Sequence, residues 1–302
     1  MNSVFFDHAT IDAWIAEDAP LVDLTTHLLA VGDGQARMRF TVRGEAVAAC
    51  TEEAARIVHH CGGRVETLLP SGTHVAAGDV LLAATGDAAG LLRAWKVAQN
   101  LLEYACGVAG ATARMVRAVQ AAAPGVAVLT TRKHAPGLRR IALKATLSGG
   151  AFPHRLGVGE TVLVFPQHRA LLSGWEALAE RLAAAAPALT EKKCVVEAHT
   201  LEEALSAVAA GADAVQFDKA APEDLRAWCP RLRALYPRVQ LLAAGGIHAG
   251  NAVQYATSGV HALVTSSLHY ASPADVGVAM QPLQREDPSS YAVFAKCNPT
   301  LS

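Results

Sequence analysis

The chain has 302 residues, 52% of them hydrophobic and 18% charged, enough apolar material to bury one large core or two ordinary ones. Its formal net charge of -1 supplies no overall basic field, which argues against nucleic acid as a partner. No run approaches the roughly 20 uncharged apolar residues of a membrane-spanning helix, and no basic stretch followed by an apolar run opens the chain, so a cytoplasmic, membrane-free protein is expected.

The elements follow in order. Arg37 to Cys50 alternates as a strand does, with Met38, Phe40 and Val42 on one side. Thr51 is expected to cap a short helix whose first turn carries Glu52 and Glu53, acids that suit the positive end of the helix dipole. Arg64 to Leu69 and Val80 to Ala84 read as further strands, and together these pieces predict a small α/β layer. From Ala88 to Ala123 the apolar spacing is helical, and Gly107 and Gly110 are expected to divide it into two helices. After Pro124-Gly125 strand and helix patterns alternate. Apolar runs end near Thr130, Phe165, Glu197, Phe217, Ala243 and Thr265. Such a rhythm predicts a parallel sheet, most economically a βα barrel. The expected organisation is therefore α/β: an N-terminal open-faced sandwich with its bridging helix over 1–108, a TIM-like barrel over 109–281, and a tail over 282–302 that packs back on the first unit. The six cysteines (Cys50, Cys61, Cys106, Cys194, Cys229 and Cys297) form no CxxC pair and read as reduced thiols.

In a parallel βα array the loops at the carboxyl ends of the strands carry the chemistry. Those ends supply Arg132 and Lys133, then His154 and Arg155 after Gly149-Gly150, then Glu197 and Asp218, and finally Gly245-Gly246 and Ser266. Arginine presents a planar fork of donors to carboxylate or phosphate. A strand feeding a diglycine and then a helix places backbone N–H groups at an anion. A carboxylate at the end of an apolar strand, as at Glu197, is costly unless it is used. Converging on one rim, these groups would form a site for a phosphorylated, acidic substrate with a divalent metal. The bland readings are a solvated pair for Arg132-Lys133, a surface turn for His154-Arg155 and a helix cap for Asp218. His59-His60-Cys61 lacks spaced partners and reads as a helix end.

These motifs resemble the quinolinate phosphoribosyltransferase (nicotinate-nucleotide pyrophosphorylase) family. The likeness runs through Asp23-Leu24-Thr25-Thr26, Asn100-Leu101-Leu102, Thr131-Arg132-Lys133 with Pro136-Gly137, Gly149-Gly150 with His154-Arg155-Leu156-Gly157, Glu197, Asp218 and Gly245-Gly246-Ile247. Pro153 to Arg169 and Ala94-Trp95-Lys96 are most similar to the ModD branch, pyrophosphorylases named for an association with molybdate transport. The resemblance implies a homodimer with shared active sites and transfer of phosphoribosyl from phosphoribosyl pyrophosphate (PRPP), with Mg²⁺ and release of pyrophosphate. It implies that Arg132, Lys133, His154 and Arg155 bind carboxylate and phosphate, and that Lys96 reaches across the dimer. Glu197 and Asp218 would face the ribose and the Mg²⁺-pyrophosphate, with Lys133 beside them as a catalytic group, and Gly245, Gly246 and Ser266 would hold the 5-phosphate.

The chain departs from the family at several of these positions. Phe165 stands where the family has a lysine, Lys96 where it has an arginine, Pro153 for an asparagine, Ala244 for a serine and Ser266 for a glycine. Each lost charge-assisted contact costs about 1.5 to 3 kcal/mol, so the acceptor is expected to be an acid other than a pyridine dicarboxylate. The alternatives are an authentic quinolinate enzyme of NAD synthesis and a catalytically silent protein that binds PRPP or another anion.

Overall fold

The structure is a computed structural model and describes residues 4–283. The expected tail over 282–302 lies outside these residues from 284 onward.

The chain opens with two capped helices. Asp7 accepts a hydrogen bond from the Thr10 amide at 2.7 Å ahead of α1 (His8–Asp18), and Asp23 accepts one from the Thr26 amide at 3.1 Å ahead of α2 (Leu24–Leu29). β1 (Gln35–Val42) buries Ala36, Met38, Phe40 and Val42 and turns the alternate residues outward. The short β2 (Ala46–Val47) then leads to α3 (Thr51–His60). Thr51 is the first residue of α3 and not its cap. Cys50 takes the cap position in the left-handed conformation, φ 56, and gives no side-chain cap. β3 (Arg64–Leu68), β4 (His74–Val75) and β5 (Val80–Asp87) complete the region, with β1 and β3 flanking β5 in antiparallel register.

α4 (Ala88–Ala122) is one continuous helix of 35 residues, not the two expected from its glycines. Gly107 serves contact and not a break: a β-carbon there would collide with the backbone at Ser272 and Pro273. The helix is the spine of the molecule. Leu91, Leu102 and Val108 pack into the core beneath the first sheet, and Met115 and Val119 pack into the core outside the second.

The second sheet is built from β6 (Ala127–Thr130), β7 (Phe152–Pro153), β8 (Val162–Val164), β9 (Cys194–Ala198), β10 (Ala214–Asp218), β11 (Gln240–Ala244) and β12 (Ala262–Thr265). All its ladders are parallel, in the order β7-β6-β12-β11-β10-β9-β8. The strands curl into a barrel that stays open between β7 and β8. The helices α5 (Arg139–Ser148), α6 (Pro166–Arg169), α7 (Trp175–Ala185), α8 (Leu201–Ala209), α9 (Pro222–Leu235) and α10 (Ala252–Ala256) connect them. Every residue of β9 and β12 is buried, as expected of parallel strands covered on both faces. The chain then returns: β13 (Val276–Pro282) pairs antiparallel with β1 at the edge of the first sheet. The barrel unit expected over 109–281 thus includes a strand that belongs to the N-terminal layer. No described helix is long and apolar enough to cross a membrane.

Candidate active site

Seven parallel strands aim their carboxyl ends at one mouth, and a cavity of about 350 Å³ opens there, within the range of small-molecule sites. Its lining includes Arg132, Lys133, His154, Arg155, Glu197, Asp218, Gly245, Gly246 and Ser266. Residues more than a hundred positions apart thus meet on one surface. Lys96 is the exception. It lies exposed on α4, its Nζ 3.0 Å from Gln99 Oε1 and 4.5 Å from the centre of the Trp95 ring.

The cationic side is held by the backbone around β6. The amide of Thr131 donates to Thr265 O at 3.0 Å, and that of His154 to Thr130 O at 2.9 Å. The Lys133 amide donates to Thr131 Oγ1 at 3.1 Å, folding the loop back on itself. Arg155 is 8% exposed and gives Nη1 to Thr161 O at 3.2 Å, while Arg132 adds positive charge beside it. Burial, and then the positive charge of Arg155, push His154 down to about 4, so this imidazole is neutral at pH 7. Gly149 packs away from the cavity. A β-carbon on it would lie 2.5 Å from Ala109 O, so its smallness serves the contact between the end of α5 and α4.

The acidic side is less settled. Glu197 is 9% exposed and receives one hydrogen bond, from Gln216 Nε2 to Oε2 at 3.0 Å. Burial, and then the negative charge of Asp218, raise its carboxyl above the ordinary range, while Gln216, His199 and Lys133 draw it part of the way back. Gln216 is itself 5% exposed, and its Oε1 is buried with no hydrogen-bond partner among the described residues. An orphan acceptor beside two like charges is costly unless a ligand completes it.

The diglycine sits next to Asp218. Gly245 and Gly246 have φ of 83 and 72, a region that favours glycine. A β-carbon on Gly245 would stand 2.5 Å from Asp218 Oδ1, so only glycine lets this loop and the carboxylate share the rim. Lys219, directly after Asp218, also has a positive φ, 60, and donates its amide to Ala244 O at 2.8 Å. Asn251 Nδ2 holds Gly246 O at 3.0 Å, and Thr265 Oγ1 donates to Ile247 O at 2.7 Å. The floor is apolar, made by Leu163, Phe165, Val264 and Ile247. Phe165 stacks on His168 with ring centres 5.8 Å apart.

Two further residues belong to this region, and one of them had a readable signal. Gln216 is the one polar residue within Ala214-Val215-Gln216-Phe217, an anomaly in a buried strand. His199 lies two residues after Glu197 but just past the end of β9, where strand alternation no longer sets its side. Carboxylate oxygens of Glu197 and Asp218 and one ring nitrogen of His199 all lie within 4.8 Å of one another. The set suits a divalent cation.

Residues 108–279 match the family described as "Quinolinate phosphoribosyl transferase, C-terminal domain", and residues 23–106 match its N-terminal domain. A protein of Rhodobacter capsulatus named "Putative pyrophosphorylase ModD" is 41% identical over 246 residues, 82% of this chain and 94% of the relative. Human "Nicotinate-nucleotide pyrophosphorylase [carboxylating]" is 32% identical over 266 residues, 88% of each chain. The solved nicotinate-nucleotide pyrophosphorylase from Francisella tularensis shares the fold, with a TM-score of 0.82 at 24% identity over 90% of this chain and 95% of that one.

Proposed function

The chain belongs to the quinolinate phosphoribosyltransferase family and is a phosphoribosyltransferase; from that premise we propose that it transfers phosphoribosyl from PRPP to an acidic heteroaromatic acceptor, with Mg²⁺ and release of pyrophosphate. The observation that carries this reading is the convergence of Arg132, Lys133, Arg155, Glu197, Asp218 and the Gly245-Gly246 loop on one cavity. In the reaction, the bond from ribose C1 to the pyrophosphate oxygen breaks and its electron pair leaves with pyrophosphate. A ring nitrogen of the acceptor supplies the pair for the new bond to C1.

The chain's own groups match that flow of charge. Glu197 and Asp218 stabilise the positive charge that builds on the ribose, acting in a partly dry site where fixed charges count for most. Arg132, Lys133 and Arg155 receive the negative charge of pyrophosphate and of the acceptor carboxylate. The backbone at Gly245-Gly246 and the Ser266 hydroxyl hold the 5-phosphate. Glu197 and Asp218 are the residues that would hold a divalent cation, which would supply positive charge to offset that of pyrophosphate. His154, neutral at pH 7, contributes a hydrogen bond and no charge.

Phe165 directs the choice of acceptor. An aromatic ring on the cavity floor favours a flat, weakly polar acceptor face and gives no counter-charge to a second carboxylate. Lys96, away from its own chain's cavity, is read as a group donated to the cavity of a second copy. The exposed apolar side chains Leu21, Val22, Leu24, Leu28 and Leu29 support such a homodimer. A link to molybdate metabolism rests on the ModD likeness. Pyrophosphate release from PRPP and Mg²⁺, measured across a panel of heteroaromatic mono- and dicarboxylic acids, tests the reading. Release with a monocarboxylic acid in excess of that with quinolinate is expected. Quinolinate as the preferred acceptor would select the authentic quinolinate enzyme instead, and release with no acceptor would defeat both.

A further inference from the structure

We infer that His199 is a third protein ligand in the cation site of Glu197 and Asp218, which gives that site a preference for nitrogen-accepting divalent metals of the Co²⁺ and Zn²⁺ kind over Mg²⁺. The inference rests on the reading of those two carboxylates as the metal-holding pair and extends it to a residue of different chemistry.

Three observations carry it. The donor atoms of Glu197, His199 and Asp218 lie within 4.8 Å of one another, a spacing that one ion can bridge. His199 Nδ1 lies 3.1 Å from the backbone oxygen of Asp218. Because a carbonyl only accepts, a hydrogen bond at this contact requires the proton on Nδ1, which in the neutral ring leaves the Nε2 lone pair for a metal. A backbone carbonyl that fixes the tautomer in this way is the usual outer partner of a metal-binding histidine. The His199 amide is in turn held by Glu203 Oε2 at 2.8 Å, and Glu203 is paired with Arg169 at 3.2 Å, so the backbone that presents the imidazole is fixed. The third observation is the orphan oxygen of Gln216, 5% exposed, lining the same cavity next to Glu197. It offers a further oxygen to a cation or to water on one.

Carboxylates alone suit Mg²⁺, whereas imidazole shifts a mixed site toward metals later in the divalent series. The test is calorimetric titration of the full-length protein with Co²⁺ and, separately, with Mg²⁺, both without PRPP, in wild type, His199→Ala and Glu197→Gln. Wild type is expected to bind Co²⁺ more tightly than Mg²⁺. His199→Ala is expected to weaken Co²⁺ by about tenfold or more and to change Mg²⁺ by less than about twofold. Since the three proteins share every other histidine and cysteine, binding elsewhere cancels in the comparison. His199 is exposed, and matching circular dichroism would establish that its variant is folded. Equal Co²⁺ affinity in wild type and His199→Ala, with loss in Glu197→Gln, overturns the role of His199 and leaves the carboxylate pair standing. Co²⁺ affinity unchanged in both variants overturns the site altogether, while PRPP turnover judges the transferase reading separately.

Discussion

Two clusters of charge are buried among the described residues, and they are built in opposite ways. Between the layers, Lys144 on α5 is 2% exposed and meets Glu52 at 2.9 Å and Glu53 at 2.5 Å, while Ser71 completes Glu52 through its amide at 2.9 Å and its hydroxyl at 2.5 Å. Burial pushes the Glu52 carboxyl up, but the bonds from Ser71 and Lys144 prevail and hold it down at about 2. At the barrel mouth, Glu197 faces Asp218 and takes a single hydrogen bond from Gln216 Nε2, and the Gln216 oxygen is left over. The first cluster is closed and fastens the barrel to the N-terminal layer. The second is open, and the groups that would close it belong to a ligand. Burial with full satisfaction marks structure, and burial without it marks a site.

The largest effect is expected where the closed cluster is cut. Lys144→Met should cost about 3 to 5 kcal/mol, because it strands two carboxylates at the layer contact; chemical denaturation of both proteins measures it. The same pair has a pH signature. A depressed carboxyl stabilises the fold above its unfolded value of 4.5, and the contribution fades as pH falls toward about 2. The difference between wild type and Lys144→Met should therefore shrink over that window, and a constant difference would mean that Glu52 is not its source.

Cutting the open cluster should spare stability and remove activity. Asp218→Ala is expected to lower pyrophosphate release about 10² to 10³-fold, with unfolding midpoints close to wild type. A variant as active as wild type would place the chemistry elsewhere. Restoring the cation of the wider family, Phe165→Lys, should raise quinolinate turnover relative to monocarboxylic acids by about tenfold or more, the worth of one charge-assisted contact. No change in that ratio would mean that the floor of the cavity does not read the acceptor.

The smallest effect has the opposite sign. Glu197→Gln removes a raised carboxyl and should stabilise the unliganded protein, by about 1 kcal/mol or less, while reducing activity. A raised carboxyl favours the fold when protonated, so wild type should fall behind this variant as pH rises from the ordinary glutamate range through the elevated value. Thermal unfolding between acid and neutral pH checks the direction.

Much of the barrel could be read from the chain because parallel strands write themselves locally. Each is a short apolar run, and its carboxyl end is marked by the first polar residues after it, as at Thr130-Thr131-Arg132 and at Val195-Val196-Glu197. The site followed from those ends. What could not be read depends on contacts between distant segments. Lys144 looks like an ordinary polar residue of an amphipathic helix, and its partners lie more than 90 positions earlier. Gly107 looks like a helix break until Ser272 and Pro273 are seen against it, and β13 has no signal that it will join β1 across more than 200 residues. His199 was missed for a different reason: an exposed histidine beyond a strand end resembles any loop residue until Asp218 is folded beside it.

The most direct test of the account follows PRPP itself. Phosphorus NMR of a mixture of protein, PRPP, Mg²⁺ and an accepting heteroaromatic acid should show the PRPP signals replaced by free pyrophosphate and one new phosphomonoester, with Asp218→Ala leaving PRPP intact. PRPP that persists with wild type under every acceptor, or that is consumed equally by Asp218→Ala, would contradict it.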